Sequence, residues 1–276
     1  MSFQDPFISN VLIYLTAFLT AFLFFLFFKK KWVFSKESFL AGLFAGVGNF
    51  FILFSLLKNL LILVLPFVSA AAIVFFFIVY FTEKPKFSFV QRIFVASGLL
   101  LAFLGLFLIS IAPVGFKAFS GFKLDFSFVF FSLIIMVSFG LWTFFTYKAA
   151  KKTVDVFGYN FWQFLASFFL SIIAVLVFSV DSFSKVFSLG LLGYLYPALA
   201  GLSIFGGCFF VFKSFTAVSV LSKIQKVIVA FLANGELVPL VFLSFFILGE
   251  RSFEGFLGVG IVLIGLFLLN FSENVE

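Results

Sequence analysis

Long apolar runs separated by short polar segments make up almost the whole chain. About 20 apolar residues are needed for a helix to cross ~30 Å of hydrocarbon. The runs are too long and too continuously apolar for the alternating strands of a β-barrel, which are roughly ten residues each. The pattern therefore predicts an all-α polytopic membrane protein. Its nine predicted spans cover residues 7–28, 39–57, 60–81, 93–111, 126–147, 159–180, 188–212, 227–249 and 256–271.

The composition agrees with a membrane protein and removes several kinds of chemistry. The 276 residues are 64% hydrophobic and 11% charged, whereas soluble domains are roughly 45–50% apolar. The chain has no histidine, and its single cysteine, Cys208, lies in an apolar run. Histidine metal sites, disulfides and paired-cysteine metal sites are thereby excluded, so we expect no metal and no cofactor. The first apolar run ends in three lysines, the reverse of a signal peptide, which indicates a retained helix.

The basic residues predict the orientation of the helices. If the N-terminus is external, thirteen of the 18 Lys and Arg residues fall in cytoplasmic segments. Positive residues concentrate on the cytoplasmic side, so the C-terminus is expected in the cytoplasm and the protein in the plasma membrane. The charges are scattered among short loops without a basic patch, which argues against a nucleic-acid partner.

Two pairs of similar segments indicate an internal repeat. "GLFAGVGNFF" at 42–51 matches "GLSIFGGCFF" at 201–210, and "GLLLAFLGLFL" at 98–108 matches "GVGIVLIGLFL" at 258–268. The offsets are 159 and 160 residues, so the first four spans correspond to the last four. Corresponding helices are five crossings apart and must run in opposite senses, which is an inverted-topology repeat. We expect a first half over 1–111 with four helices, a linker over 112–125 and a second half over 126–276 with five.

Nearly the whole chain resembles a known transporter family, most clearly in its last part. "GELVPLVFLSFFILGERSFEGFLGVGIVLIGLFLL" at 235–269 is similar to the end of the repeat in EamA-type members of the drug/metabolite transporter superfamily. An acidic residue and a proline precede a Gly-Glu-Arg turn and a helix with two glycines seven residues apart. "FGLWTFFTYKAAKK" at 139–152 resembles the helix that opens the family's second repeat. The resemblance implies two five-helix repeats and transport of small metabolites. The first helix of the first repeat has no predicted counterpart here, so either the chain begins late or this is a nine-helix variant.

Glu236 is the most prominent candidate for function. It lies within the apolar run 227–249. Acidic residues inside membrane spans are rare and usually have a function. Burial favours its neutral form, so the residue is suited to exchanging a proton or binding a cationic group. The alternative is a protonated acid that holds two helices together by a hydrogen bond. Neighbouring polar and helix-breaking residues were assigned to the same site: Asn234, Gly235, Pro239, and Pro66 and Ser69 in the other half.

Other candidates line the remaining spans. Asn49, Trp142, Gln163, Tyr194 and Tyr196 are predicted to contact substrate, with helix–helix hydrogen bonding and interfacial anchoring as the alternatives. Small residues allow close helix approach, so a packing role is predicted for eight glycines. These are Gly42, Gly48, Gly98, Gly105, Gly201, Gly207, Gly258 and Gly265.

Together these features predict a secondary transporter, not an enzyme. Its halves would alternate around a midplane site, moving a small polar, amino-acid-like metabolite with proton coupling through Glu236. A flippase for lipid-linked carriers and a non-catalytic membrane scaffold are the alternatives. The expected partners are the substrate and membrane lipid, and a homodimer is compatible with the sequence.

Overall fold

The described part of the chain is entirely helical. The computed structural model describes residues 5–29, 33–58, 67–68, 70–83, 88–111, 126–152, 154–179, 189–218, 225, 228–229 and 253–272. Seven of its eight helices are long and apolar enough to span a membrane, and Ala71–Glu83 is shorter. The helices are α1 Pro6–Phe27, α2 Lys36–Leu57, α3 Ala71–Glu83, α4 Phe89–Ile111, α5 Phe126–Lys151, α6 Val156–Phe178, α7 Leu191–Val218 and α8 Phe253–Phe271.

This arrangement confirms the all-α class and the multi-pass membrane character. The predicted span 227–249 lies almost entirely outside the described residues, so the count of nine spans stays a prediction. The helices group into two compact units. Unit 1 contains Met1–Leu53 and Phe144–Ser219, and unit 2 contains Phe54–Thr143 and Val220–Glu276. Each unit therefore takes helices from both predicted halves of the chain.

In unit 1, α1 and α6 begin in the same way and pack against each other. Asp5 accepts a hydrogen bond from the Phe7 amide at 2.9 Å, and Asp155 accepts one from the Phe157 amide at 3.1 Å. Side-chain oxygens at this position satisfy amides that the first helical turn leaves unpaired. Asn10 near the start of α1 contacts Ser171 near the end of α6, so the two helices are antiparallel.

Two glycines bring further helices close to this pair. A Cβ on Gly42 of α2 would lie 2.0 Å from the Gln163 carbonyl oxygen in α6. A Cβ on Gly201 of α7 would lie 2.5 Å from the Ile13 carbonyl oxygen in α1. Neither position admits a larger residue without movement of backbone, so both glycines set the distance between helices. The two predicted packing roles agree with these contacts.

Unit 2 has a similar crossing between α4 and α8. A Cβ on Gly98 would lie 2.8 Å from the Gly265 oxygen, and one on Gly105 would lie 2.5 Å from the Gly258 oxygen. The reciprocal substitutions meet the opposite glycine oxygens at 2.6 Å in both cases. The glycine motifs therefore meet in reverse order, and α4 and α8 are antiparallel.

Contacts in unit 1 bring two predicted cytoplasmic segments together. Lys152, just after α5, forms an ion pair of 2.6 Å with Glu37 in the first turn of α2. The Trp162 indole N–H donates to the Val33 carbonyl at 2.8 Å. The connection before α2 and the connection before α6 consequently lie at the same end of unit 1, as the distribution of basic residues predicts.

Candidate functional site

A stripe of polar side chains runs along the buried face of α6. Asn160, Gln163, Ser167 and Ser171 are spaced by three or four residues, and none is more than 3% exposed. Residues at this spacing lie above one another on a helix. At ~1.5 Å per residue the stripe is roughly 16 Å long, about half the thickness of the hydrocarbon layer. We call these four residues the α6 stripe.

The C-terminal half of the α6 stripe, Ser167 and Ser171, is hydrogen-bonded to two neighbouring helices. The Ser167 hydroxyl donates to the Gly42 carbonyl oxygen at 2.8 Å, so α2 is bonded to α6 where it approaches most closely. The Ser171 hydroxyl donates to the Ser167 carbonyl oxygen at 2.9 Å and accepts from the Asn10 amide at 2.9 Å. These groups are satisfied and link α1, α2 and α6.

Two polar pairs flank the middle of the α6 stripe. The Asn49 amide of α2 donates to the Tyr14 hydroxyl of α1. The Gln163 amide of α6 donates to the Cys208 sulfur of α7 at 3.2 Å. Asn49 and Cys208 are 159 residues apart and occupy the same place in the two similar segments. The two residues act in opposite senses, since Asn49 donates its hydrogen bond and Cys208 accepts one through sulfur, which is a weak acceptor.

Two amide oxygens in the N-terminal half of the α6 stripe have no hydrogen-bond partner among the described residues. Asn160 Oδ1 and Gln163 Oε1 are buried and have no hydrogen-bond partner among the described residues. The Asn160 nitrogen donates to the Val156 carbonyl at 3.0 Å, so only its oxygen is left over. A buried acceptor without a donor costs about 1–3 kcal/mol. Such groups are uncommon in proteins and call for an explanation, such as a bound molecule.

Aromatic rings surround this part of unit 1. Tyr159, next to Asn160, stacks on Phe212 with ring centroids 4.4 Å apart, and its hydroxyl lies 2.6 Å from that of Thr146. Tyr14 and Phe164 belong to one apolar cluster that also contains Ala17, Ala21 and Phe205. These rings lie in the same unit as the α6 stripe, whose polar side chains are buried.

The predicted site residues fall into four groups. Asn49 and Gln163 lie in unit 1, where they make the two polar pairs described above. Trp142 lies in unit 2, is 7% exposed and meets Phe139 edge to face. Tyr194 and Tyr196 are 38% and 66% exposed near the start of α7, outside the α6 stripe. The remaining candidates, Glu236, Asn234, Gly235, Pro239, Pro66 and Ser69, lie outside the described residues.

Close contacts occur at six of the eight predicted packing glycines. They are Gly42, Gly98, Gly105, Gly201, Gly258 and Gly265. Gly207 differs, because a Cβ added there would meet no atom within 4 Å. Gly207 faces outward from α7, so the close approach expected of it is made by Gly201 alone. Gly48 lies within α2.

Several polar residues of this region were not singled out from the sequence. They are Asn10, Tyr14, Asn160, Ser167, Ser171 and Cys208. A third segment match identifies two of them: "DPFISN" at 5–10 and "DVFGYN" at 155–160 share Asp, Phe and Asn at an offset of 150. The spacing of polar residues in α6, at 160, 163, 167 and 171, identifies Ser167 and Ser171 as well, since it follows one helical face.

Unit 1 buries neutral polar groups. Among the described residues, the buried polar side chains are Ser, Thr, Asn, Gln and Tyr, and none is Asp, Glu, Lys or Arg. No group of three or more His, Cys, Asp or Glu residues in the described ranges could hold a metal ion. The described part of the site is therefore suited to hydrogen bonding with uncharged groups.

Comparison of the sequence with known proteins identifies no family for this chain. No protein-family model matches this chain, and the search of curated proteins gave no match. The EamA-type resemblance therefore remains a prediction.

Proposed function

We propose that this membrane protein is a secondary transporter of a small polar molecule that works by alternating access. The observation that carries the proposal is the antiparallel packing of helices that match each other in sequence. Alpha-helices α1 and α6, which share the Asp-x-Phe-x-x-Asn start, are antiparallel in unit 1. Helices α4 and α8, which share the glycine motif, are antiparallel in unit 2.

The contacts within unit 1 repeat between the two halves of the sequence. Gly42 meets residues 163 and 166 of α6, and Gly201 meets residues 13 and 16 of α1. Residues 13 and 163 are 150 apart, as are 16 and 166. One set of contacts is thus made twice by helices of opposite direction. This supports an inverted-topology repeat, an arrangement that is typical of several folds of secondary transporters.

The proposed orientation can be tested by cysteine labelling. In a Cys208→Ala background, single cysteines replace Lys29, Lys151 or Lys58, and intact cells are treated with a membrane-impermeant maleimide. We expect Lys58→Cys to react from outside and the other two to react only after permeabilisation. Labelling of Lys29→Cys and Lys151→Cys from opposite sides would contradict the inverted repeat.

Transport itself is tested with purified protein in liposomes. Vesicles preloaded with an unlabelled solute are given the same solute in radiolabelled form, across amino acids, sugars, nucleosides and organic acids. We expect saturable counterflow for at least one class. Gly201→Leu should abolish it because the side chain would enter α1, whereas Gly207→Leu faces open space and should not. Counterflow equal to that of empty vesicles for every solute would leave a scaffold as the better account.

Proton coupling through Glu236 is a separate part of the proposal. The Glu236→Gln variant should keep counterflow but lose its response to an imposed pH gradient, because glutamine cannot exchange a proton. Glu254→Gln, in the first turn of α8, is the matched control and should behave as the wild type. A full response to the gradient in Glu236→Gln would exclude coupling at this residue.

A further inference from the structure

The two oxygens of the α6 stripe that have no partner among the described residues belong to side chains about one helical turn apart. Asn160 and Gln163 are three residues apart on one face of α6, and they are 0% and 2% exposed. Both unpaired atoms, Asn160 Oδ1 and Gln163 Oε1, are hydrogen-bond acceptors. Apolar side chains of similar size would avoid the unfavourable burial of these oxygens. Their presence is explained if a ligand supplies donors to them.

The surrounding charge selects among ligands with donors. A fully charged ligand, once removed from water, needs an opposite charge close by. No buried Asp, Glu, Lys or Arg side chain occurs in the part of unit 1 that is described. Hydroxyl and amide N–H groups of an uncharged molecule need only acceptors, which the two oxygens provide. The rings of Tyr159 and Phe212 stack on each other, and Tyr159 lies one helical turn from Gln163 in the sequence of α6.

We propose that Asn160 and Gln163 bind the hydroxyl or amide N–H groups of a small uncharged solute, and that the transported substrate belongs to this class. The proposal rests on the transport function above and makes its substrate class more specific. It differs from the expectation of a cationic substrate group at Glu236, because it assigns recognition to neutral acceptors in unit 1.

The experiment compares two sets of solutes and two variants. Wild-type protein in liposomes is tested for counterflow of glycerol, glucose and uridine and of the charged solutes lysine, glutamate and choline. Asn160→Leu and Gln163→Met remove one acceptor each with little change in volume. Ser203→Ala is the matched control, since this exposed hydroxyl bonds only the Leu199 carbonyl of its own helix. Thermal unfolding of each variant without solute is measured alongside.

We expect counterflow of at least one uncharged solute and none of the charged ones. Each acceptor variant should raise the half-saturating concentration of the solute about tenfold, which is the effect of losing one hydrogen bond worth ~1.4 kcal/mol. Its melting temperature without solute should stay close to that of the wild type, because removal of the unpaired oxygen offsets the loss of the amide N–H bond to the Val156 carbonyl or to the Cys208 sulfur. Ser203→Ala should change neither quantity.

Other results would overturn the inference in distinguishable ways. Counterflow of charged solutes only would refute the substrate class and leave the transport function standing. Counterflow of an uncharged solute with unchanged affinity in both variants would refute the roles of Asn160 and Gln163. A large fall in melting temperature for both variants, beyond the loss of one amide N–H bond each, would mean that the two oxygens themselves have structural partners. Absence of counterflow for every solute, including those in the broader panel, would refute the transport function itself.

Discussion

The α4–α8 crossing allows a stringent test because α8 carries two glycines in opposite environments. A Cβ at Gly258 would lie 2.6 Å from the Gly105 oxygen and 2.8 Å from Ile109 Cγ1. A Cβ at Gly260 would meet nothing within 4 Å. Gly258→Ala and Gly260→Ala therefore add the same methyl group to the same helix, once into backbone and once into open space.

The two variants share one energetic contribution and differ in another. Alanine favours the helix over glycine by up to about 1 kcal/mol at either position. Only Gly258→Ala also forces the helices apart, and such overpacking costs about 1–3 kcal/mol. The difference between the variants is thus the overpacking cost alone. At roughly 2–4 °C per kcal/mol for a chain of this size, Gly258→Ala should melt roughly 2–12 °C below Gly260→Ala.

The assay is thermal unfolding of both purified variants in the same detergent. Gly260→Ala should melt at or slightly above the wild-type temperature. Adding Gly105→Ala to Gly258→Ala should cost less than the sum of the two single changes, because both methyl groups enter one contact. Equal melting temperatures for Gly258→Ala and Gly260→Ala would refute the close approach of α4 and α8.

Two smaller effects follow from unit 1. Tyr14→Phe leaves the Asn49 amide without its acceptor and should lower the free energy of unfolding by about 1–3 kcal/mol; Tyr196→Phe, at an exposed position, is the control, and an equal effect of both would contradict the buried pair. Lys152→Ala breaks an ion pair whose lysine is 62% exposed; it should cost less than about 1 kcal/mol in low salt and nothing measurable in 1 M salt, whereas a larger, salt-independent loss would show another role for Lys152.

The spans were predictable because they depend on apolar length alone. The helix α5 begins at Phe126 and α8 ends at Phe271, as the hydropathy pattern predicts. The α4 helix begins at Phe89, four residues before its predicted start, because Ser88 and Gln91 bond each other's backbone amides there. Polar capping groups extend a helix beyond its apolar run, and hydropathy does not register them.

The close contacts were only half predictable. The seven-residue spacing of Gly98 and Gly105 indicates a packing face, yet it does not name the partner, which is the second copy of the same motif. Gly201 and Gly207 look equivalent in the sequence, but only Gly201 faces another helix. Which side of a helix is covered depends on tertiary packing, and a pattern of small residues on both sides leaves that choice open.

The candidate site was the least predictable part. An acidic residue in an apolar run indicates a functional site by its charge, whereas a single neutral polar residue such as Asn160 or Ser167 does not. They matter because they are buried on one face of α6, where the oxygens of Asn160 and Gln163 meet no donor among the described residues. The helical spacing of polar residues within the apolar run indicates this face, whereas the positions of charged residues do not.

The differing offsets of the repeat locate where the two halves have diverged in length. From Asp5 to Gly42 is 37 residues and from Asp155 to Gly201 is 46, so the second half has nine more. Helix α6 is one residue longer than α1. Twelve residues lie between α6 and the next described helix, whereas eight lie between α1 and α2. Helix α7 begins ten residues before Gly201, and α2 begins six before Gly42. These differences account for all nine. None of them lies between a helix start and the contacts made by residues 13, 16, 163 and 166, nor between Gly42 or Gly201 and the polar pair that follows. Length has therefore changed only outside the paired contacts, as expected if those contacts, rather than the loops, hold the two copies in register.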